Sequence, residues 1–283
     1  MRRSHWWIGC LAMVLGVGGC DQEPETPTLT RTGQQVPIFR EFRGQQGPIA
    51  ERSFLVIQRP ETWQALWGTL PAPAVDFTRY SVLGALLGQQ PTGNYAVVIT
   101  EVRTSGERTD VYVAEERPTP GTTPPAGVTT PYHLVVVPKL ATPVTFVLEG
   151  GGTVPIAIQD EYLGPTSAVE TAQTAVLRDA ASWQQFWTAV LGATTPAPAI
   201  DFDRQMAVAV LIGRRPTAGY SVLITGVDPG PERLAVNYRV RAPAPGDPVA
   251  QVITAPYAVA IIPTSPQPIA FRNVTPLVTA SAP

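Results

Sequence analysis

Gly88-Gln89-Gln90-Pro91-Thr92-Gly93-Asn94-Tyr95 returns at 213–220 as Gly213-Arg214-Arg215-Pro216-Thr217-Ala218-Gly219-Tyr220. Each version follows an apolar run (Val82 to Leu87; Ala207 to Ile212) and precedes another (Ala96 to Thr100; Ser221 to Thr225). Proline pre-sets φ for an early turn position, and the Gly or Asn after it tolerates positive φ. Between two strand-like runs this reads as a tight connection, a hairpin of more than two residues.

The repeat extends well beyond the turn. An offset of 125 runs from Pro73-Ala74-Val75-Asp76-Phe77 against Pro198-Ala199-Ile200-Asp201-Phe202 to Phe146 against Phe271. Trp63 and Trp67 match Trp183 and Trp187 at an offset of 120, and Val36-Pro37-Ile38 matches Val154-Pro155-Ile156 at 118. Units of this size are whole domains in tandem rather than solenoid repeats. The expected organisation is a signal peptide at 1–19, a flexible tether at 20–35, copy 1 at 36–149, a Gly150-Gly151-Gly152 linker ending at 153, and copy 2 at 154–283.

Each copy has one helix. Trp63, Leu66, Trp67 and Leu70 form an i, i+3, i+4, i+7 stripe, with Pro60 at the first helical position. Trp183, Phe186, Trp187 and Val190 repeat it, with Asp179 as N-cap. Such a stripe faces a core more readily than a ligand. The other runs are strand-like, and Tyr80 to Leu87 and Met206 to Ile212 are apolar enough to be central strands covered on both faces. The fold class is α+β: two tandem, mainly antiparallel β-sheet domains, each with one amphipathic helix.

At the N-terminus, Arg2-Arg3 precede the apolar stretch Trp6 to Val17, which is too short to span a membrane, and then Val17-Gly18-Gly19-Cys20. This resembles a bacterial lipoprotein signal, with cleavage before Cys20 and lipid on its thiol. Several acyl chains, at about 0.8 kcal/mol per buried methylene, would hold the chain at the extracytoplasmic face of the cell envelope. The competing reading is an ordinary cleaved signal with a fortuitous cysteine. If cleavage falls before Cys20, Cys10 leaves with the signal and Cys20 carries lipid, so the mature chain has no free thiol, disulfide or cysteine metal site.

The residues spell out no reaction. The net charge of −2 gives no electrostatic case for nucleic acid. His133 has Ala258 as its counterpart, and no nucleophile elbow, phosphate loop, paired-histidine or dinucleotide motif occurs. Asp76 and Asp201 are equivalent carboxylates that fit turn caps; an enzyme built on either needs a second titratable group nearby. No cofactor and no metal are expected. The candidate partner contacts are the two turns: Gln89, Gln90, Pro91, Thr92 and Tyr95 in copy 1, and Arg214, Arg215, Pro216, Thr217 and Tyr220 in copy 2. Only the second turn offers guanidinium groups for carboxylates. The proline-rich loops Pro118 to Ala126 and Pro243 to Pro248 read as spacers or as preorganised recognition segments.

The Trp-bearing helix, the Gly-x-x-Pro-Thr-Gly-Gly-Tyr turn and the later Pro131-Tyr132 and Pro256-Tyr257 together resemble the PrcB-type protease-complex subunit family, in its C-terminal domain, twice. Asn94 and Ala218 each replace one glycine of the family's pair. The resemblance implies a non-enzymatic lipoprotein that associates with, and stabilises, a secreted subtilisin-like protease. The alternative is a small-ligand or glycan-binding lipoprotein that uses Tyr95 and Tyr220 as a platform beside a concave pocket.

Overall fold

The computed structural model describes residues 31–274 apart from 69, 142 and 193; the signal, Cys20 and most of the tether lie outside the described residues. Copy 1 runs β1 (Gln34–Gln35), β2 (Arg40–Gly44), β3 (Arg52–Ile57), α1 (Pro60–Trp67), β4 (Tyr80–Leu87), β5 (Gln90–Thr92), β6 (Ala96–Thr104), β7 (Thr109–Glu116), β8 (Ala126–Thr129), β9 (Tyr132–Pro138) and β10 (Val144–Leu148). Copy 2 runs β11 (Asp160–Gly164), β12 (Gln173–Leu177), α2 (Ala180–Gln185) with a π-helical turn over Phe186–Val190, β13 (Gln205–Leu211), β14 (Ser221–Pro229), β15 (Leu234–Arg241), β16 (Tyr257–Pro263) and β17 (Ile269–Asn273).

Each copy has a four-stranded antiparallel main sheet, β2-β9-β4-β3 in the first and β11-β16-β13-β12 in the second. A second sheet covers one face: β1-β6-β7-β10 in copy 1 and β14-β15-β17 in copy 2, with β10 and β17 joining in parallel. The helix covers the other face. The long apolar runs are thus central strands, β4 and β13, buried on both sides. Alternation then assigns the faces. Phe54, Val56, Leu83 and Val135 turn to the second sheet, while Leu55, Ile57, Val82 and Leu134 turn to α1.

The helix ends follow local chemistry. Pro60 opens α1, and Asp179 Oδ1 accepts the Ser182 N–H at 2.8 Å, capping α2. Trp63 and Trp183 are buried, and each Nε1–H donates to a proline carbonyl, Pro73 at 2.7 Å and Pro198 at 2.8 Å. The stripe is shorter than its spacing suggests: α1 ends at Trp67, and Leu70 is 57 % exposed.

The copies are not beads on a string. One apolar cluster joins the helix side of copy 1 (Leu55, Trp63, Leu66) to the core between the two sheets of copy 2 (Met206, Val222, Ile224, Val236). Across this seam Ile158 pairs with the β3 edge, Thr62 Oγ1 donates to the Glu161 carbonyl at 3.1 Å, and Arg59 forms an ion pair with Asp160 at 2.9 Å. Ser53 Oγ donates to the Thr225 carbonyl, and a Cβ on Gly226 would meet that Oγ at 2.5 Å. Side chains this close leave room only for glycine.

Two sequence expectations need correction. The Val36/Val154 match at 118 is a coincidence of three residues. The Val36 N–H donates to the Val102 carbonyl and the Ile156 N–H to the Val227 carbonyl, which sets the offset at 120. The Pro-Thr segment is also not a hairpin turn. β4 and β6 lie in different sheets, so the segment carries the chain from one layer to the other, and its Gln90–Thr92 strand pairs with β8.

Candidate functional site

The repeated segment is built around two backbone requirements. Gly88 and Gly213 have φ of +75° and +72°, and a Cβ on either would lie 2.7–2.8 Å from the backbone of the preceding edge segment. Glycine is the residue that satisfies both demands. Farther along, Asn94 has φ of +63° and Gly219 +88°, whereas Gly93 has no positive φ. Left-handed φ is therefore needed only at the second member of the pair. Asparagine is among the few side chains that tolerate it, and Ala218 costs nothing at the first.

The segment is held against the end of its proline-rich loop. Gly93 N–H donates to the Pro125 carbonyl at 2.9 Å, and Ala218 N–H donates to the Ala250 carbonyl at 2.9 Å. Gln89, Pro91, Arg214 and Pro216 are exposed; Gln90, Thr92, Tyr95, Arg215, Thr217 and Tyr220 are half-buried. The segment opposite, β8 in copy 1, carries an apolar residue that motif reading missed, Val128 in copy 1 and Ile253 in copy 2, which are 51 % and 59 % exposed. Their shared offset of 125 was the available signal.

The arginines of the second turn are already engaged. Arg214 forms an exposed ion pair with Glu170 at 3.1 Å. Arg215 donates to the Ile212 carbonyl at 2.8 Å and lies 5.8 Å from the Tyr220 ring centre. Tyr95 and Tyr220 pack against the cores of their own copies, so neither stands as an open platform. Tyr95 nonetheless helps line an open cleft of about 450 Å³ with Arg52, Gln90, Glu115, Glu116 and Arg117. There Arg52 is committed to Glu115, through Nε at 3.0 Å, and to the Thr153 carbonyl at 2.6 Å.

The candidate acids behave as turn caps. Asp76 Oδ1 accepts from the Thr78 N–H and hydroxyl at 3.0 and 2.6 Å, bonds that hold its carboxyl below the usual range. Asp201 Oδ1 accepts from the Asp203 N–H at 3.2 Å. Among the described residues no three His, Cys, Asp or Glu side chains cluster to hold a metal.

His133 answers to a structural need. β6 bulges between Ile99 and Glu101, and the Ile99 N–H donates to His133 Nδ1 at 2.8 Å. That bond fixes the proton on Nε2, which faces Glu41 at 3.3 Å, and burial pushes the imidazole pKa down. β14 bulges at the equivalent place, between Ile224 and Gly226. Here Ala258 stands where His133 does, and Glu161, the counterpart of Glu41, reaches in to accept the Ile224 N–H at 2.9 Å. Enclosure raises its pKa to about 8.

The PrcB C-terminal family model matches residues 81–138 and again 206–263. The chain carries two PrcB C-terminal domains. The two matched stretches begin in β4 and β13 and end in β9 and β16, so each spans the central strands, the crossing segment and the proline-rich loop of its copy. No curated protein and no solved structure matches the chain.

Proposed function

We propose that this chain is a non-enzymatic, lipid-anchored protein of the bacterial cell envelope that binds and holds another exported protein, specifically a protease, as an accessory subunit of its complex. The doubled PrcB C-terminal domain carries this reading. The engagement of Asp76, Asp201 and His133 in turns and a bulge, rather than in one shared cleft, supports it. The anchor is Cys20 at the end of the leader's apolar stretch, with the acyl chains in the membrane and the domains on its extracytoplasmic face. The contact surface is the exposed edge of each crossing segment, Gln89 and Pro91 in copy 1 and Arg214 and Pro216 in copy 2, with Val128 and Ile253 opposite.

Affinity capture of the tagged full chain from envelope fractions of its host should recover an exported protease in near-equal amount. Cys20→Ala should shift the protein from the membrane to the soluble fraction. Repeated capture without a protein partner would count decisively against the holding role. The rival reading, a small-ligand or glycan-binding lipoprotein, rests on the cleft beside Tyr95. Saturable binding of a soluble sugar that Tyr95→Ala abolishes would favour it.

A further inference from the structure

The edge strand β3 of copy 1 is not left open. Ile158 pairs with it in a single parallel bridge opposite Leu55, donating its N–H to the Phe54 carbonyl at 3.1 Å and accepting the Val56 N–H at 2.9 Å, while Ile156 donates to the Val227 carbonyl of β14. The Ile158 side chain enters a slot walled on one side by Ile49, Leu55, Thr62 and Leu66 of copy 1 and on the other by Leu223 and Ile224 of copy 2. Main-chain bonds set the register and the slot selects the side chain, as in strand addition to a sheet edge.

Copy 2 contains the same edge, and among the described residues no segment pairs with its outer side. β12 is the outer strand of its sheet, paired with β13 in the register that β3 keeps with β4. Thr174, Ala175 and Val176 stand where Phe54, Leu55 and Val56 do, so the Thr174 carbonyl and the Val176 N–H point away from β13. Among the described residues neither makes a hydrogen bond. The residues that correspond to the copy 1 wall of that slot are Val169, Ala175, Ser182 and Phe186, of which only Phe186 is buried. Ala175 in place of Leu55 presents a smaller side chain there.

We propose that the β12 edge takes an extended segment of another protein by parallel strand addition, with a β-branched apolar residue at the position that Ile158 fills in copy 1. The occupant is a single strand rather than a second copy of this chain. Docking a whole copy as at the seam would place Glu101, bound to Arg31 and Arg103, where Gly226 touches Ser53, and Arg43 where Leu163 stands. Those charged side chains block the close approach that Gly226 permits. The proposal extends the holding function by naming a second contact surface, and it rests on that function only for the source of the segment.

A labelled peptide with the sequence Thr-Val-Pro-Ile-Ala-Ile-Gln, that of residues 153–159, titrated against the full-length protein tests the slot directly. Saturable binding is expected. N-methylation of the second isoleucine, which deletes the donor to Thr174, should weaken it about tenfold or more. Val176→Pro removes the outward N–H, a change an edge strand tolerates. Ala175→Arg fills the slot and leaves the backbone intact. Each variant, checked for native circular dichroism, should weaken binding to a similar degree. Absence of saturable binding, or equal binding by wild type and both variants, would overturn the proposal. Undiminished capture of the exported partner by Val176→Pro would remove β12 as its contact and leave the holding function standing.

Discussion

Ile99 and Ile224 occupy the same bulge in their two copies, yet the acceptor of their N–H differs. In copy 1 an imidazole fills the space and a half-exposed Glu41 waits behind it. In copy 2 the space over Ala258 is taken by a buried carboxyl. A buried backbone N–H must find an acceptor, but the fold accepts any group of suitable reach. The histidine that invites a catalytic reading is thus one of two answers to one backbone requirement. The same contrast holds at the surface: the seam is apolar and close-packed, whereas the matching positions at the free ends carry Arg43 for Leu163, Glu101 for Gly226 and Gln185 for Ala65. Polar outer faces on terminal units keep a repeat array from growing.

This contrast can be broken most forcefully at the seam. Ile158→Ala should cost about 2–4 kcal/mol, the range for a large-to-small change in a core. The same change at its counterpart, the half-buried Ile38, should cost less than about half as much. Urea midpoints of the two variants measure the difference, and equal losses would mean that the seam is no better packed than the free end. Gly226→Val comes next: its Cβ meets Ser53 Oγ at 2.5 Å, and overpacking of this kind costs about 1–3 kcal/mol. Glu101→Val, at the matching free position, should fall below that in the same assay.

The bulges separate by pH. In copy 2 the unfolded chain releases the Glu161 proton in the ordinary carboxyl range, while the folded chain keeps it to about 8. Stability therefore declines as pH rises between those limits and is level beyond them. Glu161→Gln should remove that decline. In copy 1 burial lowers the His133 pKa, so the unfolded chain takes up the proton first and stability falls as pH drops below the ordinary histidine value of about 6.5. His133→Gln should flatten this acid limb and leave the alkaline one unchanged. Denaturant midpoints from pH 5 to pH 9 resolve both arms. The smallest effect belongs to Arg214→Ala, which breaks an exposed pair with Glu170 and should change stability by less than about 1 kcal/mol. A larger loss by the same measure would show that the turn cation is structural.

Much of this molecule was legible without coordinates. The offset of 125 revealed the duplication, the unbroken apolar runs marked β4 and β13, and Asp179 announced a helix start. Those signals are local, because strand burial, capping and turn chemistry are written within a few residues. The sequence went astray where three residues were weighed against a hydrogen-bond register, as at Val36, and where adjacent strands were joined into a hairpin although they lie in different sheets.

By itself, then, the chain determined that there are two like domains, which strands are central, and that a Gly or Asn after the turn proline takes positive φ. Only tertiary structure decided that Leu66 packs toward the second copy's core, that Glu161 stands in for a histidine, and that Ile158 pairs with the edge of β3. The physical reason is that an apolar pattern states that a surface must be buried and is silent about what buries it. That choice depends on contacts between residues a hundred positions apart, and only the folded chain brings them together.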